Sequence, residues 1–247
     1  IEDFGDVTLF NLLKNEKKNK IKIFKKIINL LISIQGIKKN KSKNFKNKNY
    51  IIPIYNNKKL FEEAKLFCDW YVPKVISPKK RSFLNKNLKV EIKFLLSKMN
   101  QKNNCFVHRD FHVSNLMMFK KKIAIIDTQD AVVGNRAYDL ASLIDDVRFK
   151  TSSEFKSIIY NHYLKINKKN INRNFFKTDY EILSILRNLK IIGIFTRLAY
   201  RDKKKKYLKL IPYAWELIKL RLNQNIIFKD IKDLLDTNFP KKIRMKK

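Results

Sequence analysis

The sequence predicts an α+β domain, mainly helical, with one small β-hairpin inserted near the middle. Three observations lead there. Apolar residues recur at helical spacing over most of the 247 residues. Between residues 105 and 126 that period gives way to short apolar runs, CFV, LMM and IAII, each bounded by polar residues as strands are. After Ala137 the helical pattern resumes and holds to the end. A hydrophobic share of 45% in a chain of this length fills a substantial core.

Residues 1–5 read as a strand end and connector, and Asp6 or Thr8 caps a first helix carrying Leu9, Leu12 and Leu13. Over 21–36, Ile23, Ile27, Ile28, Leu31 and Ile34 share a face, and Gly36 ends the helix. The stretch KKNKSKNFKNKN that follows is basic and self-repelling, which predicts an exposed loop. LFEEAKLFCDWYV and LKVEIKFLLSKM return to helical spacing; in the second, Ile92, Leu95, Leu96 and Met99 fall on one face. Beyond the strands come DYEILSILRNLKIIGIFTRLAYRD and YLKLIPYAWELIKLRL, where Pro212 either kinks a helix or separates two.

Lys and Arg number 56 against 22 Asp and Glu, a formal net charge of +34. Such a balance raises nucleic acid or an anionic membrane as partner. The lysines, however, come with abundant asparagine, isoleucine and phenylalanine and with only 4 Gly and 5 Pro, the signature of an AT-rich genome. No aromatic-interleaved basic stripe accompanies them, so nucleic acid is not the expected partner. Cys68 and Cys105 match no ligand or disulfide spacing, which points to a reducing, cytoplasmic setting. The apolar run 27–34 is interrupted by Asn29 and Ser33 and falls far short of the roughly 20 residues of a membrane span. Nor does IEDFGDVTLF have the pattern of a secretory signal. Oligomeric state leaves no trace in the sequence.

The chemistry concentrates in HRDFHVSNLMMFKKKIAIIDTQDA, residues 108–131, where Asp110 precedes Asn115 by five residues and Asp127 by seventeen. This is the layout of a kinase catalytic loop and its metal-binding aspartate. Phosphoryl transfer asks little covalent help of a protein, but it needs a carboxylate to orient the attacking hydroxyl and oxygen ligands for magnesium. Asp110 is predicted to receive the hydroxyl proton, and Asn115 and Asp127 to hold Mg²⁺ on the phosphates of ATP. His108 is expected to brace the loop by hydrogen bonding; Asp139 is expected to cap its helix or to hold the loop from behind. Arg109, His112, Gln129 and Asp130 lie close enough in sequence to reach substrate. Asp3-Phe4-Gly5 spells the metal-binding triplet of protein kinases but comes before the loop. In kinase order its place is the connector between lobes, where Glu2, Asp3 and Phe4 are positioned to meet the adenine. Asp127-Thr128-Gln129 follows the true strand and no A-P-E segment is found, which argues against a protein kinase.

HRDFHVSNLM, IIDTQDAVVGNRAYDLASLIDDVR, LRNLKIIGIFTRLAYRDKKKKYLKLIPYAWE and the earlier FCDWYVPKV together resemble the aminoglycoside phosphotransferase/choline kinase superfamily. Within it they are similar to the bacterial anomeric sugar kinases that act on N-acetylmuramate and N-acetylglucosamine. The likeness spans nearly the whole chain. It implies a protein-kinase-like C-terminal lobe over 7–247, an interlobe connector over 1–6, and an N-terminal lobe absent from the chain. It also implies ATP-dependent phosphorylation of a small-molecule sugar at its anomeric hydroxyl in cell-wall recycling, with Asp110 as base and Asn115 and Asp127 as metal ligands. Thr128 departs from the pattern, since the subgroup carries phenylalanine there. With no G-x-G-x-x-G and no lobe to cover the phosphates, the chain is expected to bind ATP weakly and to turn over slowly or not at all. Kinases of another small alcohol (choline, homoserine, an aminoglycoside) and a non-catalytic basic nucleic-acid-binding module are the alternatives.

Overall fold

The computed structural model describes residues 3–16, 18–37, 41–43, 46–168 and 171–245. In chain order its elements are helices α1 (Leu9–Asn15) and α2 (Lys20–Gln35), strands β1 (Lys41–Lys43) and β2 (Asn49–Ile51), and helices α3 (Asn57–Ala64), α4 (Val72–Val75) and α5 (Pro78–Ser97). Strands β3 (Cys105–Val107), β4 (Leu116–Phe119), β5 (Lys122–Ile125) and β6 (Val132–Gly134) follow. Helices α6 (Ala137–Ile144), α7 (Ser153–Ile166), α8 (Arg173–Tyr200), α9 (Ile211–Leu222), α10 (Lys229–Asn238) and α11 (Lys241–Arg244) complete the chain. Helix therefore dominates, as the periodicity predicts.

The chain divides into two compact units. The first comprises Ile1–Tyr55 and Gln101–Phe176. Here Thr8 caps α1, its hydroxyl accepting the Asn11 N–H at 3.2 Å. Helix α2 buries Phe24, Ile27, Ile28 and Leu31 and packs against α7. Phe24 stacks on Phe149 at 5.9 Å and meets Phe155 edge-on at 4.9 Å.

Two short ladders are nested in this unit. The outer one pairs β3 with β6 antiparallel, Cys105 opposite Gly134 and Val107 opposite Val132. Inside it, β4 and β5 pair from Leu116–Ile125 to Phe119–Lys122. Lys120 and Lys121 close this hairpin with φ of 47° and 64°, as a primed two-residue turn requires. Segment 53–55 extends the outer ladder: Tyr55 N–H donates to the Val133 carbonyl at 2.8 Å, and Val133 N–H to the Pro53 carbonyl at 2.9 Å.

The basic stretch 38–49 is not wholly the loop its composition predicts. Lys41–Lys43 pairs with Asn49–Ile51 in an antiparallel ribbon, while residues 38–40, 44 and 45 lie outside the described residues. Each residue of β2 is exposed, and the chain beyond it docks through residues 53–55 on β6, a contact with no local sequence signal.

The second unit comprises Asn56–Asn100 and Lys177–Lys247. LFEEAKLFCDWYV is not one regular helix: after α3 the chain forms a π turn over Phe67–Tyr71 before α4. Gly193 of α8 approaches this backbone closely where the turn begins. A Cβ there would sit 2.4 Å from the Leu66 carbonyl carbon. Phe67, Tyr71, Trp215 and Phe239 form an aromatic core, within which the Trp215 indole N–H donates to the Tyr71 hydroxyl at 3.3 Å. Pro212 lies in the first turn of α9, where its missing N–H costs nothing, so it begins a helix rather than kinking one. Among the described residues no helix is long and apolar enough to cross a membrane.

Candidate active site

The nested ladders bring the polar cluster together. Both ends of the excursion 108–131 leave the β3–β6 ladder at the Val107–Val132 pair. The inner hairpin begins at Leu116–Ile125 and thereby sets Asn115 beside Ile126, whose N–H donates to the Asn115 carbonyl at 3.1 Å. Loop 108–115 and turn 126–131 are thus forced side by side, all within the first unit.

Asp139 lies behind the loop, fully buried in the first turn of α6. Its carboxylate accepts the His108 N–H at 2.7 Å and the Arg109 N–H at 3.0 Å. The N-cap of α6 is Arg136, so Asp139 does not fill that position. The buried His108 ring places Nε2 2.9 Å from the Ile126 carbonyl. A carbonyl only accepts, so Nε2 carries the proton and the tie joins the loop to the residue before Asp127.

Asn115 is the hub. Its Nδ2 donates to the Asp110 backbone carbonyl at 3.1 Å and to the Asp127 carboxylate at 3.3 Å. Its own N–H donates to the His112 carbonyl at 2.9 Å, and the His112 N–H to the Asp110 carbonyl at 3.0 Å. The Gln129 amide donates to the other Asp127 carboxylate oxygen. Asp127, Gln129 and Asp130 are exposed, Asp110 and Asn115 half-buried, and His112 buried at 5%. Arg109 reaches across to the Asp130 backbone carbonyl at 3.4 Å and carboxylate at 4.0 Å. Arg109 and Asp127 hold φ of 74° and 66°, a left-handed backbone that costs a side-chain-bearing residue on the order of 1–3 kcal/mol. Asp139 fixes the first, and the amides of Asn115 and Gln129 engage the carboxylate of the second.

One feature of the site carries no mark in the local sequence. Tyr55, only 2% exposed, lies under the Arg109 guanidinium at 5.3 Å and edge-on to Tyr138 at 5.0 Å. Its sequence distance from the loop hides it. Strand β6 was legible in principle as the Val-Val pair after Asp130. Asp3 accepts the Gly5 N–H at 2.8 Å, and Phe4 meets Phe119 edge-on at 5.3 Å, at the turn end of the inner hairpin. Glu2 lies outside the described residues.

Among the described residues no group of three or more His, Cys, Asp or Glu side chains converges as a metal-holding set. Magnesium on nucleotide phosphates needs none, since it takes one or two carboxylates and completes its shell with phosphate oxygens and water. Asp127 offers a carboxylate and Asn115 an amide within one hydrogen bond of it, a hard-oxygen pair that fits such an ion once the amide turns its oxygen inward.

A family model described as the phosphotransferase enzyme family matches residues 22–175, and the chain belongs to that family. It is 31% identical over 169 residues to the N-acetylmuramate/N-acetylglucosamine kinase of Neisseria meningitidis serogroup B, a match covering 66% of this chain and 50% of that protein. To the kinase of the same name from Caulobacter vibrioides it is 35% identical over 115 residues, 44% of this chain and 31% of that protein. The chain spans about half the length of the curated relatives it matches, or less. Among solved structures, the gentamicin complex of the aminoglycoside phosphotransferase APH(2")-IIa superposes with a TM-score of 0.57 at 16% identity, covering 92% of this chain and 70% of that one. Plasmodium vivax ethanolamine kinase gives 0.56 at 17%, covering 93% and 64%. At these identities the superpositions show the fold alone.

Proposed function

We propose that the chain is the catalytic-loop lobe of an ATP-dependent small-molecule kinase whose acceptor is the anomeric hydroxyl of N-acetylmuramate or N-acetylglucosamine. The observation that carries the kinase reading is the Asn115 amide joining the Asp110 backbone to the Asp127 carboxylate. The acceptor reading is supported by the names of the curated relatives. In this proposal Asp110 accepts the proton of the attacking hydroxyl, while Asn115 and Asp127 hold Mg²⁺. The ion, when bound, neutralises charge on the ATP phosphates. His108 and Asp139 keep the loop in register, so that Asp110 meets the acceptor without reorganisation. Arg109 and Asp130 hold the two sides of the site together at its exposed rim, and Gln129 orients Asp127. The setting is cytoplasmic cell-wall sugar recycling, and the segment before α1 is the link to a phosphate-covering lobe.

The test is a substrate panel with labelled ATP, run on the chain itself and on the chain joined to the N-terminal half of the Neisseria relative. Amino sugars are expected to be phosphorylated in preference to choline, homoserine and aminoglycosides; failure of the amino sugars rejects the acceptor. Asp110→Asn is expected to lower turnover by roughly 10²–10⁴. Asp127→Ala is expected to remove the Mg²⁺-dependent rate. Near-normal turnover in the Asp110 variant removes the base.

A further inference from the structure

Two cations are buried among the described residues, and the protein treats them differently. Lys156, 4% exposed, donates to the Ile144 carbonyl at 2.5 Å and pairs with Asp145 at 3.2 Å. Arg187, on α8 in the second unit, is also 4% exposed, but its Nη1 is sealed from solvent without a hydrogen-bond partner, and no acid pairs with it. A guanidinium is always charged, and burying one uncompensated is among the costliest arrangements a fold can hold. Its planar fork matches the paired oxygens of a carboxylate or phosphate.

We propose that Arg187 is the docking residue of a binding position in the second unit for a small oxyanion, a carboxylate or phosphate group, which supplies the missing counter-charge. Because it concerns the second unit alone, it stands whether or not the acceptor assigned above is right. The chain is titrated at constant ionic strength in chloride with inorganic phosphate, acetate, N-acetylmuramate and the neutral N-acetylglucosamine, reading thermal midpoint and calorimetric affinity. Oxyanions are expected to raise the midpoint, with acetate and N-acetylmuramate acting if the source is a carboxylate and phosphate if it is a phosphoryl group; N-acetylglucosamine acts through neither. Arg187→Gln is expected to weaken oxyanion binding at least about tenfold and to leave the unliganded midpoint unchanged or higher, since it removes an unpaired charge. Arg187→Lys keeps the charge without the fork and is expected to bind more weakly than Arg187. Oxyanions without effect on the parent chain, equal binding by Arg187→Gln, or loss of fold in that variant would each overturn the proposal, the last by showing an internal partner.

Discussion

At the scale of the residue, the site depends on side chains whose job is to hold others. Asp110, Asn115 and Asp127 stand out by their spacing in the sequence, and the structure brings the loop and the strand end that carry them together. Asp139 is legible only as a choice between two roles, and the three-dimensional contact is needed to see its carboxylate on the His108 and Arg109 amides. Tyr55 is not legible at all, since nothing beside it in the sequence refers to Arg109. Outside the site, Glu181 is 2% exposed, and burial pushes its carboxyl up to about 6, with Lys177 and Arg221 opposing the shift. An acid raised above its unfolded value of about 4.5 holds its proton in the folded state after the unfolded chain has lost it, so stability falls as pH rises from about 4.5 to 6. Glu181→Gln should flatten that fall and raise stability at neutral pH by about 1–2 kcal/mol. Urea denaturation of both proteins at a series of pH values reads the difference directly.

At the scale of the element, periodicity locates the long helices and the inner hairpin, because each buries a repeating face of its own. It does not reveal the β1–β2 ribbon or the break after α3, which coincide with contacts made by distant segments, residues 53–55 on β6 and α8 on the Leu66 backbone. Gly193 is the clearest instance. The sequence offers a glycine inside an apolar helix; the structure shows the Leu66 backbone where a methyl would be. Gly193→Ala should destabilise the chain by about 1–3 kcal/mol through overpacking, measured by chemical denaturation. An effect of only a few tenths in either direction would mean the two segments can separate freely. Both lie in the second unit, so the loop 108–115 is expected to keep its geometry in this variant.

At the scale of the whole molecule, the charge is the dominant fact. A net +34 spread over 247 residues works against compaction through self-repulsion, and salt screens it over about 10 Å at 0.1 M. The thermal midpoint is therefore expected to rise by several degrees between roughly 0.02 and 0.5 M NaCl, and calorimetry at matched pH tests it; a flat or falling midpoint would show the repulsion already offset within the fold. Family membership rests on a match that covers 22–175, which includes the whole loop and turn cluster, and the chain spans about half of the sugar-kinase relatives. Asn115 and Asp127 are twelve residues apart on a tight hairpin, whereas Asp139 reaches back 31 and 30 residues to the loop amides. The Asn115–Asp127 contact therefore closes a short loop, whereas the tie that holds the backbone of His108 and Arg109 closes one more than twice as long and costs more chain entropy to form.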